Sequence, residues 1–476
     1  MYHERSQEEI FFERNQIQMV NLNDLVPDDH LLKRIEKVID FKFIYNLTKE
    51  YYSQENGRNC LDTIVLFKIM FLNFLTGKNS IRATLEETKV NLAYKWFLGL
   101  GINSKVPNHS TVSQNYIRRF SGTDVFEKVF TSILTQIIEK GLIDSSIIYV
   151  DGTHIKANAN KHKSIKKQVR VLATKYQKDL ETEVNEFREL NGRDKYPTDD
   201  DGYTVDDETG EIIETNKEIE ETKTISTVDS DCGMFVKGEH ERQFAYVDQV
   251  ACDKHGWILG FDVNPGNMHD AKAFLPFFEK RLLKYLPKVI CADAGYANNL
   301  IAYNVQNKGI ELLIPYIRPK GQTQQFNKKL FDYYIEIDSY ICPSRKQLVP
   351  WNINKNGYIE YKIHRDECSG CIYQKECLKN YAFKTIRRHI YEDCLDKAKE
   401  YRLSKEGKEI YSKRKETIER IFAEGKEKHG LRFTRYKGRQ KNFDMRSLLY
   451  ACLNIKKLAN YLMKKVNKQE EIILEN

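Results

Sequence analysis

Two aspartates follow strand-like segments of this chain and could share one site. Asp151 follows the apolar residues 147–150, and Asp293 follows the apolar residues 289–292. Apolar, β-branched runs of this length predict core strands, and a side chain at the end of such a strand reaches an edge or a cleft. An Asp-Gly pair is also a common turn, so Asp151 alone leaves a plain turn open. Two carboxylates that met at one edge would suit a hard divalent cation such as Mg²⁺.

A third carboxylate is expected from a later helix. Phosphoryl transfer commonly uses two divalent ions about 4 Å apart, which need several convergent acids. Residues 411–426 predict a helix in which Glu419 borders the buried face. Lys426 returns to nearly the same face if this helix continues past Gly425. Glu424 and Glu416 compete with Glu419 as the third acid, and we interpret both as solvated surface charges. The apolar stripe of this helix is formed by Ile418, Ile421 and Phe422.

The elements around the two aspartates follow a regular order. After the strand of Asp151 and a long charged insertion, the sequence predicts a hairpin over residues 244–263 and a helix over 270–285. The strand of Asp293, a helix near 299–307 and a strand at 310–315 complete the series. This is the order of a ribonuclease H-like fold, whose first and fourth strands lie side by side. The fold therefore predicts that Asp151 and Asp293 meet.

Charge is distributed unevenly along the chain. The 476 residues carry a formal net charge of +8 at pH 7, yet residues 401–460 hold 17 Lys and Arg against 7 Asp and Glu. Residues 199–221 run the other way, with 11 acids and one base. A basic C-terminal third favours a polyanionic partner such as nucleic acid, although a solvated helix face gives the same pattern.

The sequence shows neither a membrane span nor an export signal. Hydrophobic residues make up 41% of the chain, but no run approaches the roughly 18 apolar residues that a membrane span needs. Residues 1–5 mix charges without an apolar core, so we expect no export. We expect a soluble, cytoplasmic protein whose ten cysteines are free thiols or metal ligands.

The first 140 residues predict an all-α domain. Residues 61–75 are strongly apolar and indicate a buried helix, and Asn108 is a good cap for a helix that runs to Phe120. That helix begins with small polar residues and carries Arg118 and Arg119 further on. Such a helix could enter a DNA major groove, as in helix-turn-helix proteins.

The chain resembles insertion-sequence transposases of the DDE class, which have a ribonuclease H-like catalytic core. The resemblance covers roughly residues 145–460 and rests on four segments. The signature of the last segment spaces Tyr, two residues, Arg, three residues, Glu, six residues and Lys; here four residues separate Arg from Glu. The four segments are Asp151-Gly152-Thr153, Asn267-Met268-His269-Asp270, Asp293-Ala294-Gly295-Tyr296, and the helix with Tyr411, Arg414, Glu419 and Lys426.

The resemblance implies a function. Asp151, Asp293 and Glu419 would bind two Mg²⁺ or Mn²⁺ ions; water would attack a phosphodiester at the element end, and the freed 3′-OH would attack target DNA. The implied partner is double-stranded DNA, bound by at least a homodimer, in the nucleoid of a prokaryotic cytoplasm. A ribonuclease H-like nuclease without strand transfer and an inactive DNA-binding relic are the alternatives. The residues expected to contact DNA are Tyr411, Arg414, Lys426, Arg432, Arg435, Lys437, Arg439, Arg118 and Arg119.

These features divide the sequence into an N-terminal helical domain, a core and two insertions. Residues 161–240 form a charged insertion, interpreted as part helix and part loop, and residues 319–400 form a second insertion that contains cysteines. Residues 401–465 would supply the catalytic helix and a basic part of the core, including an apolar helix from Met445 to Met463. The expected ranges are 1–140 for the helical domain, 141–160 with 241–318 for the core, and 466–476 for a tail.

Four cysteines of the second insertion could bind zinc. Cys368 and Cys371 form a Cys-x2-Cys pair, with Cys342 before it and Cys377 after it. Four thiolates are the number that a closed tetrahedral Zn²⁺ site requires. His364 could replace one ligand, and four partly buried cysteines without a metal are the alternative.

Overall fold

The structure, a computed structural model, describes residues 5–53, 60–172, 175–196, 203–205, 212–214, 218–237, 241–315, 326–354 and 356–474. The chain forms two compact units, one of residues 1–143 with 420–476 and one of residues 144–419. Much of the acidic tract 199–221 lies outside the described residues. Within the described ranges, no helix combines the length and the apolar character of a membrane span.

Among the described residues of the first 143, the regular elements are helices, as predicted for residues 1–140. The most apolar of them begins after Asp62, whose carboxylate accepts a hydrogen bond from the backbone of Val65 over 3.0 Å and so caps it. Phe67 and Phe71 of this helix are fully buried. The helices are α1 (Gln7–Arg14), α2 (Leu22–Leu25), α3 (Leu31–Val38), α4 (Phe43–Thr48), α5 (Thr63–Leu75), α6 (Ile81–Thr88), α7 (Leu92–Phe97), α8 (His109–Asn115) and α9 (Val125–Glu139).

Residues 144–419 alternate strands and helices. The strands are β1 (Ile147–Lys156), β2 (Ser164–Leu172), β3 (Tyr203–Val205), β4 (Ile212–Glu214), β5 (Glu218–Ser226), β6 (Gly233–Lys237), β7 (Glu241–Asp253), β8 (Ile258–Pro265), β9 (Val289–Cys291), β10 (Glu311–Leu313), β11 (Asp332–Tyr334), β12 (Ser339–Ile341), β13 (Gln347–Ile353), β14 (Tyr358–His364) and β15 (Phe383–His389). The helices are α10 (Lys175–Leu190), α11 (Asp270–Phe277), α12 (Asn299–Gln306), α13 (Gln374–Leu378), α14 (Glu392–Leu403) and α15 (Lys405–Ser412).

The central sheet has the predicted ribonuclease H-like topology. Its order is β10-β9-β1-β7, and β6 and β8 pair with successive parts of the far edge of β7. β9 and β10 run parallel to β1, whereas β7 is antiparallel to β1 and β8 is antiparallel to β7. The first and fourth strands of the predicted series, β1 and β9, are therefore neighbours.

The predicted hairpin turn is fixed by the buried Asp253. Its carboxylate accepts backbone hydrogen bonds from His255 at 2.9 Å and Trp257 at 2.7 Å, and also from Asp144 at 2.9 Å. Gly256 has a φ of 79°, a conformation that favours glycine. The turn between β7 and β8 thus satisfies its own backbone donors.

The two insertions contain more regular structure than the sequence indicated. β2 pairs with β5, β3 pairs with β4, and β11 to β15 form a five-stranded antiparallel sheet in chain order. Leu180 and Val184 of α10 share a hydrophobic core with Leu348, Ile353 and Tyr361 of this second sheet. The helix of the first insertion therefore packs on the second insertion.

Two helices complete the chain, α16 (Ile418–Lys428) and α17 (Arg439–Leu474). The boundary between the two units falls inside α16, after Glu419. α17 packs against α3, α5 and α9, and its Leu448, Leu449 and Cys452 are fully buried. The expectation that residues 401–465 belong with the core is corrected for residues 420–465, which the structure groups with the N-terminal helices.

Candidate active site

Asp151 and Asp293 each lie two residues beyond the last aligned pair of two neighbouring parallel strands. The register of β1 with β9 aligns Ile147 with Val289 and Tyr149 with Cys291, and two further residues would bring Asp151 opposite Asp293. Neighbouring strands lie about 4.8 Å apart. The side chains of both aspartates are half-buried. The pairing of β1 with β9 therefore places the two predicted acids in neighbouring parts of the sheet.

One expectation about Asp151 needs correction, because it does not end its strand. β1 continues to Lys156 since its other neighbour, β7, is longer, and there Asp151 pairs with Val250. Only the pairing with β9 stops at Tyr149. Asp151 thus lies beyond the end of the parallel pairing but inside the antiparallel one.

Asp293 caps the turn that follows β9. Its carboxylate accepts a hydrogen bond from the backbone of Gly295, which starts the short 3-10 turn Ala294–Tyr296. An aspartate in a cap position has one oxygen engaged and the other free to point elsewhere. This contact fixes the carboxylate at the edge of the sheet.

The last turn of α15 and the segment after it contact β1. Side chains alternate along a strand, so Tyr149 and Asp151 of β1 share a face. The hydroxyl of Tyr149 donates to the carbonyl of Ile410 over 3.0 Å. The guanidinium of Arg414 donates to the carboxylate of Asp151. Ile410 and Arg414 therefore contact β1 at Tyr149 and Asp151.

Arg414 is nearly buried and is bound to Asp151. Its guanidinium donates to the Asp151 carboxylate over 2.7 Å and to the carbonyl of Val150 over 3.1 Å, and the residue is 3% exposed. Burial alone would lower the pKa of Arg414, but the charges of Asp151 and Asp293 contribute to holding it above its ordinary value. Its guanidinium is engaged with Asp151 and Val150 in this structure, and the expected DNA contact of Arg414 stays a prediction.

Tyr411 is half-buried beside two arginines. Arg402 lies over its ring at 4.3 Å and Arg414 at 5.7 Å, both measured to the ring centroid. Such cation–π contacts hold a ring in place. Sequence reasoning missed Arg402, for which the sequence gives no signal.

The extra residue between Arg414 and Glu419 is absorbed by a break in the helix. α15 ends at Ser412 and α16 begins at Ile418, so the single helix predicted over 411–426 is wrong. Across the break, the backbone N–H of Glu419 donates to the carbonyl of Arg414 over 3.1 Å, a bond that spans five residues instead of four. This wider turn is the π-type geometry that accommodates one inserted residue. Glu419 is exposed in the first turn of α16.

Glu416 and Glu424, the two alternatives to Glu419 as third acid, lie in different environments. Glu416 is exposed in the turn before α16. Glu424 is not a solvated charge, because Lys456 donates to it over 2.7 Å and His429 lies 3.8 Å away. The nearby His429 and the hydrogen bond from Lys456 lower the pKa of Glu424 to about 2. α16 does continue past Gly425, as predicted, and carries Lys426, which is partly buried.

The carboxylates are not arranged as a closed metal site. In the part of the chain that the structure describes, no three His, Cys, Asp or Glu side chains form a group that could hold a metal ion. The two aspartates lie at neighbouring strands, and Glu419, predicted from the sequence as the third acid, follows Arg414 by one wide turn. Oxygen ligands of this kind suit Mg²⁺ or Mn²⁺.

The arginines of the N-terminal unit lie on one helical segment. α8 starts after the cap residue Asn108 and continues as a π-helical turn over Tyr116–Phe120. Arg118 is exposed. Arg119 donates to Asn115 over 2.8 Å and lies 4.5 Å from the ring of Tyr52. The predicted helix is confirmed, and its contact with DNA stays a prediction.

The basic segment of residues 432–439 is anchored by hydrogen bonds and is not a loose loop. Asn442 is fully buried; it binds the hydroxyl of Thr434 at 2.6 Å and donates to the carbonyls of Tyr436 and Gly438. Arg432 pairs with Glu427. The exposed cations of this segment are Arg432, Arg435, Lys437 and Arg439.

The four cysteines of the second insertion line one pocket. Cys342, Cys368, Cys371 and Cys377 contribute to its wall, as do Lys346 and Lys384, which the sequence did not single out. His364 is not part of this lining and lies 3.1 Å from Asp366. The expected substitution of His364 for a cysteine is therefore not supported by the geometry.

Two protein-family models match the chain in separate segments. The model described as "Transposase domain (DUF772)" matches residues 20–118, and the one described as "Transposase DDE domain" matches residues 341–459. The sheet topology defines a protein with a ribonuclease H-like core. In these two segments, the chain is similar to transposases, and the second segment is similar to those of the DDE class.

Comparisons with curated proteins and with solved structures give no strong similarity. No curated protein matches the chain. One similar solved structure is described as "Cryo-EM structure of piggyBac transposase synaptic complex with hairpin DNA"; it is 10% identical, with 93% of this chain and 76% of that chain covered and a TM-score of 0.34. At this identity and TM-score, the similarity is too weak to indicate a shared function.

Proposed function

We propose that this protein is a DNA transposase that cleaves DNA at the ends of an insertion sequence and transfers the freed strand into target DNA. The observation that carries the proposal is the parallel pairing of β1 with β9 in a ribonuclease H-like sheet, in which Asp151 and Asp293 each follow the last aligned pair, Tyr149 and Cys291, by two residues. The transposase matches at both ends of the chain support it.

The residues present fit a pair of divalent cations. Asp151 and Asp293 would hold the ions, with Glu419 as the third acid, because Mg²⁺ and Mn²⁺ prefer carboxylate oxygens. When bound, such ions activate the attacking oxygen and stabilise the leaving oxygen in phosphoryl transfer. The exposed position of Glu419 leaves its carboxylate accessible to an ion or to DNA.

Arg414 acts as a positioning residue in this proposal. Its guanidinium orients Asp151 and offsets its charge, while its carbonyl anchors the backbone of Glu419. One residue thereby connects the strand that carries the first acid to the helix that carries the third. The protein would thus hold the acids in place before DNA binds.

Double-stranded DNA is the proposed partner. Arg118 and the exposed cations of residues 432–439 would contact phosphates, which gives affinity without sequence preference. Joining two element ends would require at least a homodimer on the DNA, and we place the reaction in the nucleoid of a prokaryotic cytoplasm.

The test is metal-dependent cleavage and joining of a DNA fragment that carries the element ends. Native protein is compared with Asp151→Asn, Asp293→Asn and Glu419→Gln, with Glu416→Gln as the matched control because Glu416 is exposed in the adjoining turn. We expect the first three variants to lose cleavage and joining while they keep DNA binding. The control should keep both activities.

Other outcomes would change the proposal. Cleavage without joining by the native protein would indicate a nuclease. DNA binding without cleavage in Mg²⁺ and Mn²⁺ would indicate a relic that kept the fold. An active Glu419→Gln beside an inactive Glu416→Gln would move the third acid into the turn.

A further inference from the structure

Four thiols converge at one end of the second sheet. Cys342 follows β12, and the other three cysteines belong to the connection between β14 and β15. They line a single pocket with Phe331, Ile363 and Leu378. Cys342 and Cys368, which are 26 positions apart in the sequence, therefore line the same pocket.

The turn at Cys342 presents its sulfur with a backbone donor. The N–H of Lys346 donates to the Cys342 sulfur over 3.2 Å, and the N–H of Cys342 donates to the carbonyl of Lys346 over 2.9 Å. Arg345 adopts a φ of 59° to close this turn. A backbone N–H directed at sulfur stabilises a thiolate, the form that binds metal.

The turn at Cys368 brings the next two sulfurs together. The N–H of Cys371 donates to the carbonyl of Cys368 over 3.1 Å, and Gly370 between them has a φ of 74°. The hydroxyl of Ser344, from the Cys342 turn, lies 3.2 Å from the sulfur of Cys371. This contact joins the two turns side by side.

The charge of the pocket suits a cluster of thiolates. Four thiolates around one Zn²⁺ carry a net charge of −2, and the described lining contributes two lysines, Lys346 and Lys384, and no carboxylate. The ammonium of Lys384 lies 3.5 Å from the carbonyl of Cys377. Buried charges need such partners.

We propose that Cys342, Cys368, Cys371 and Cys377 bind one structural Zn²⁺ that joins the β12–β13 turn to the β14–β15 connection. The described side chains do not yet enclose an ion, but each cysteine sulfur moves by rotation about a single side-chain torsion. A site with four thiolates leaves no open position, so the metal takes no part in catalysis. Its binding energy stabilises the connection.

The first test is the metal content and the ligand set of the full-length native protein. The protein is purified without a polyhistidine tag in reducing buffer and dialysed against metal-free buffer. We expect about one zinc ion per chain, and X-ray absorption should show sulfur neighbours at about 2.3 Å. A metal-free native protein, or one whose zinc has nitrogen or oxygen ligands, would overturn the proposal.

Matched variants locate the site. Cys342→Ser and Cys371→Ser should each lose most of the zinc, whereas Cys394→Ser, in α14 outside the pocket, should keep it. Zinc chelation should lower the melting temperature of native protein but not of Cys371→Ser. Zinc retained in both pocket variants would contradict the site. Fewer than ten free thiols in denatured, metal-free protein would show a disulfide instead.

Discussion

The guanidinium of Arg414 lies 2.7 Å from the carboxylate of Asp151, and this contact holds a strand of the sheet to the segment that leads into α16. Arg414 is 4% exposed and Asp151 17% exposed at their side chains. The pair is therefore screened little by water, and removal of one partner leaves the other charge uncompensated.

Arg414→Gln should destabilise the protein by about 3 kcal/mol, as expected when a nearly buried pair is broken. Cleavage should fall by roughly 100-fold, because a small displacement of a catalytic carboxylate has an effect of that size. Chemical denaturation and cleavage rates measure the two effects, with Lys415→Gln as the exposed control. A loss of DNA affinity with unchanged stability would instead support the DNA contact predicted from the sequence.

Gly77→Ala should destabilise the helical unit far more than Gly141→Ala. Both glycines have a φ of +67°, but a Cβ on Gly77 would lie 2.3 Å from the carbonyl oxygen of Lys428, whereas nothing lies within 4 Å at Gly141. The φ alone contributes about 1 kcal/mol, and the overlap should add roughly 2 kcal/mol more. Thermal unfolding measures the difference. Equal effects would show that Gly77 is not packed against residue 428.

Asp444 should make the protein less stable as the pH rises from about 4 to about 6. Burial raises its pKa from 3.8 to about 6, although Tyr116 and Gln440 donate to it over 2.8 Å each. The folded state therefore binds the proton more tightly than the unfolded state, and this contribution is lost above the folded pKa. Asp444→Asn should be more stable than native protein at pH 7.5, by at most about 3 kcal/mol. Denaturation at a series of pH values would reveal a constant difference if this assignment were wrong.

The contribution of Glu424 to stability should have the opposite pH dependence to that of Asp444. Its pKa is lowered to about 2 by His429 and Lys456, so its contribution is present above its ordinary value of 4.5 and is lost as the pH falls toward 2. Glu424→Gln should lower the melting temperature at pH 7 and remove part of the acid sensitivity. Glu427→Gln is the control, since its ion pair with Arg432 is exposed and contributes little. Acid sensitivity unchanged in Glu424→Gln would contradict this role.

Lys437→Ala and Arg439→Ala should each weaken DNA binding and make the DNA affinity less dependent on salt concentration. Both side chains are exposed in the anchored basic segment. Each lost phosphate contact should reduce the slope of log affinity against log salt by about 0.9. Fluorescence anisotropy at several salt concentrations measures the slope, with the exposed Lys140→Ala as the control. The same slope in all three variants would exclude this segment from the DNA surface.

The strand order could be predicted from the sequence because each element has its own local pattern. The apolar runs before Asp151 and Asp293 are short, and their spacing with helices between them allows few sheet topologies. That the two aspartates lie at neighbouring strands is then a consequence of the parallel pairing of β1 with β9. This part of the site needed no knowledge of side-chain contacts.

The rest of the site depends on contacts that leave no local pattern. The break between α15 and α16 has no proline or glycine between Arg414 and Glu419, so periodicity alone predicted one helix. The burial of Arg414 requires the position of β1, more than 250 residues away. Glu424 looked solvated because its partner Lys456 belongs to a different helix.

The division of the chain into units bears on the order in which a newly made protein can fold. The helical unit draws on residues 1–143 and on 420–476, with α17 filling the space among α3, α5 and α9. During synthesis, the sheet unit is complete and free to fold while the first helices still lack their C-terminal partner. Any copy of the gene that ends before α17 would therefore produce a chain with an exposed apolar N-terminal region, a target for proteases and chaperones.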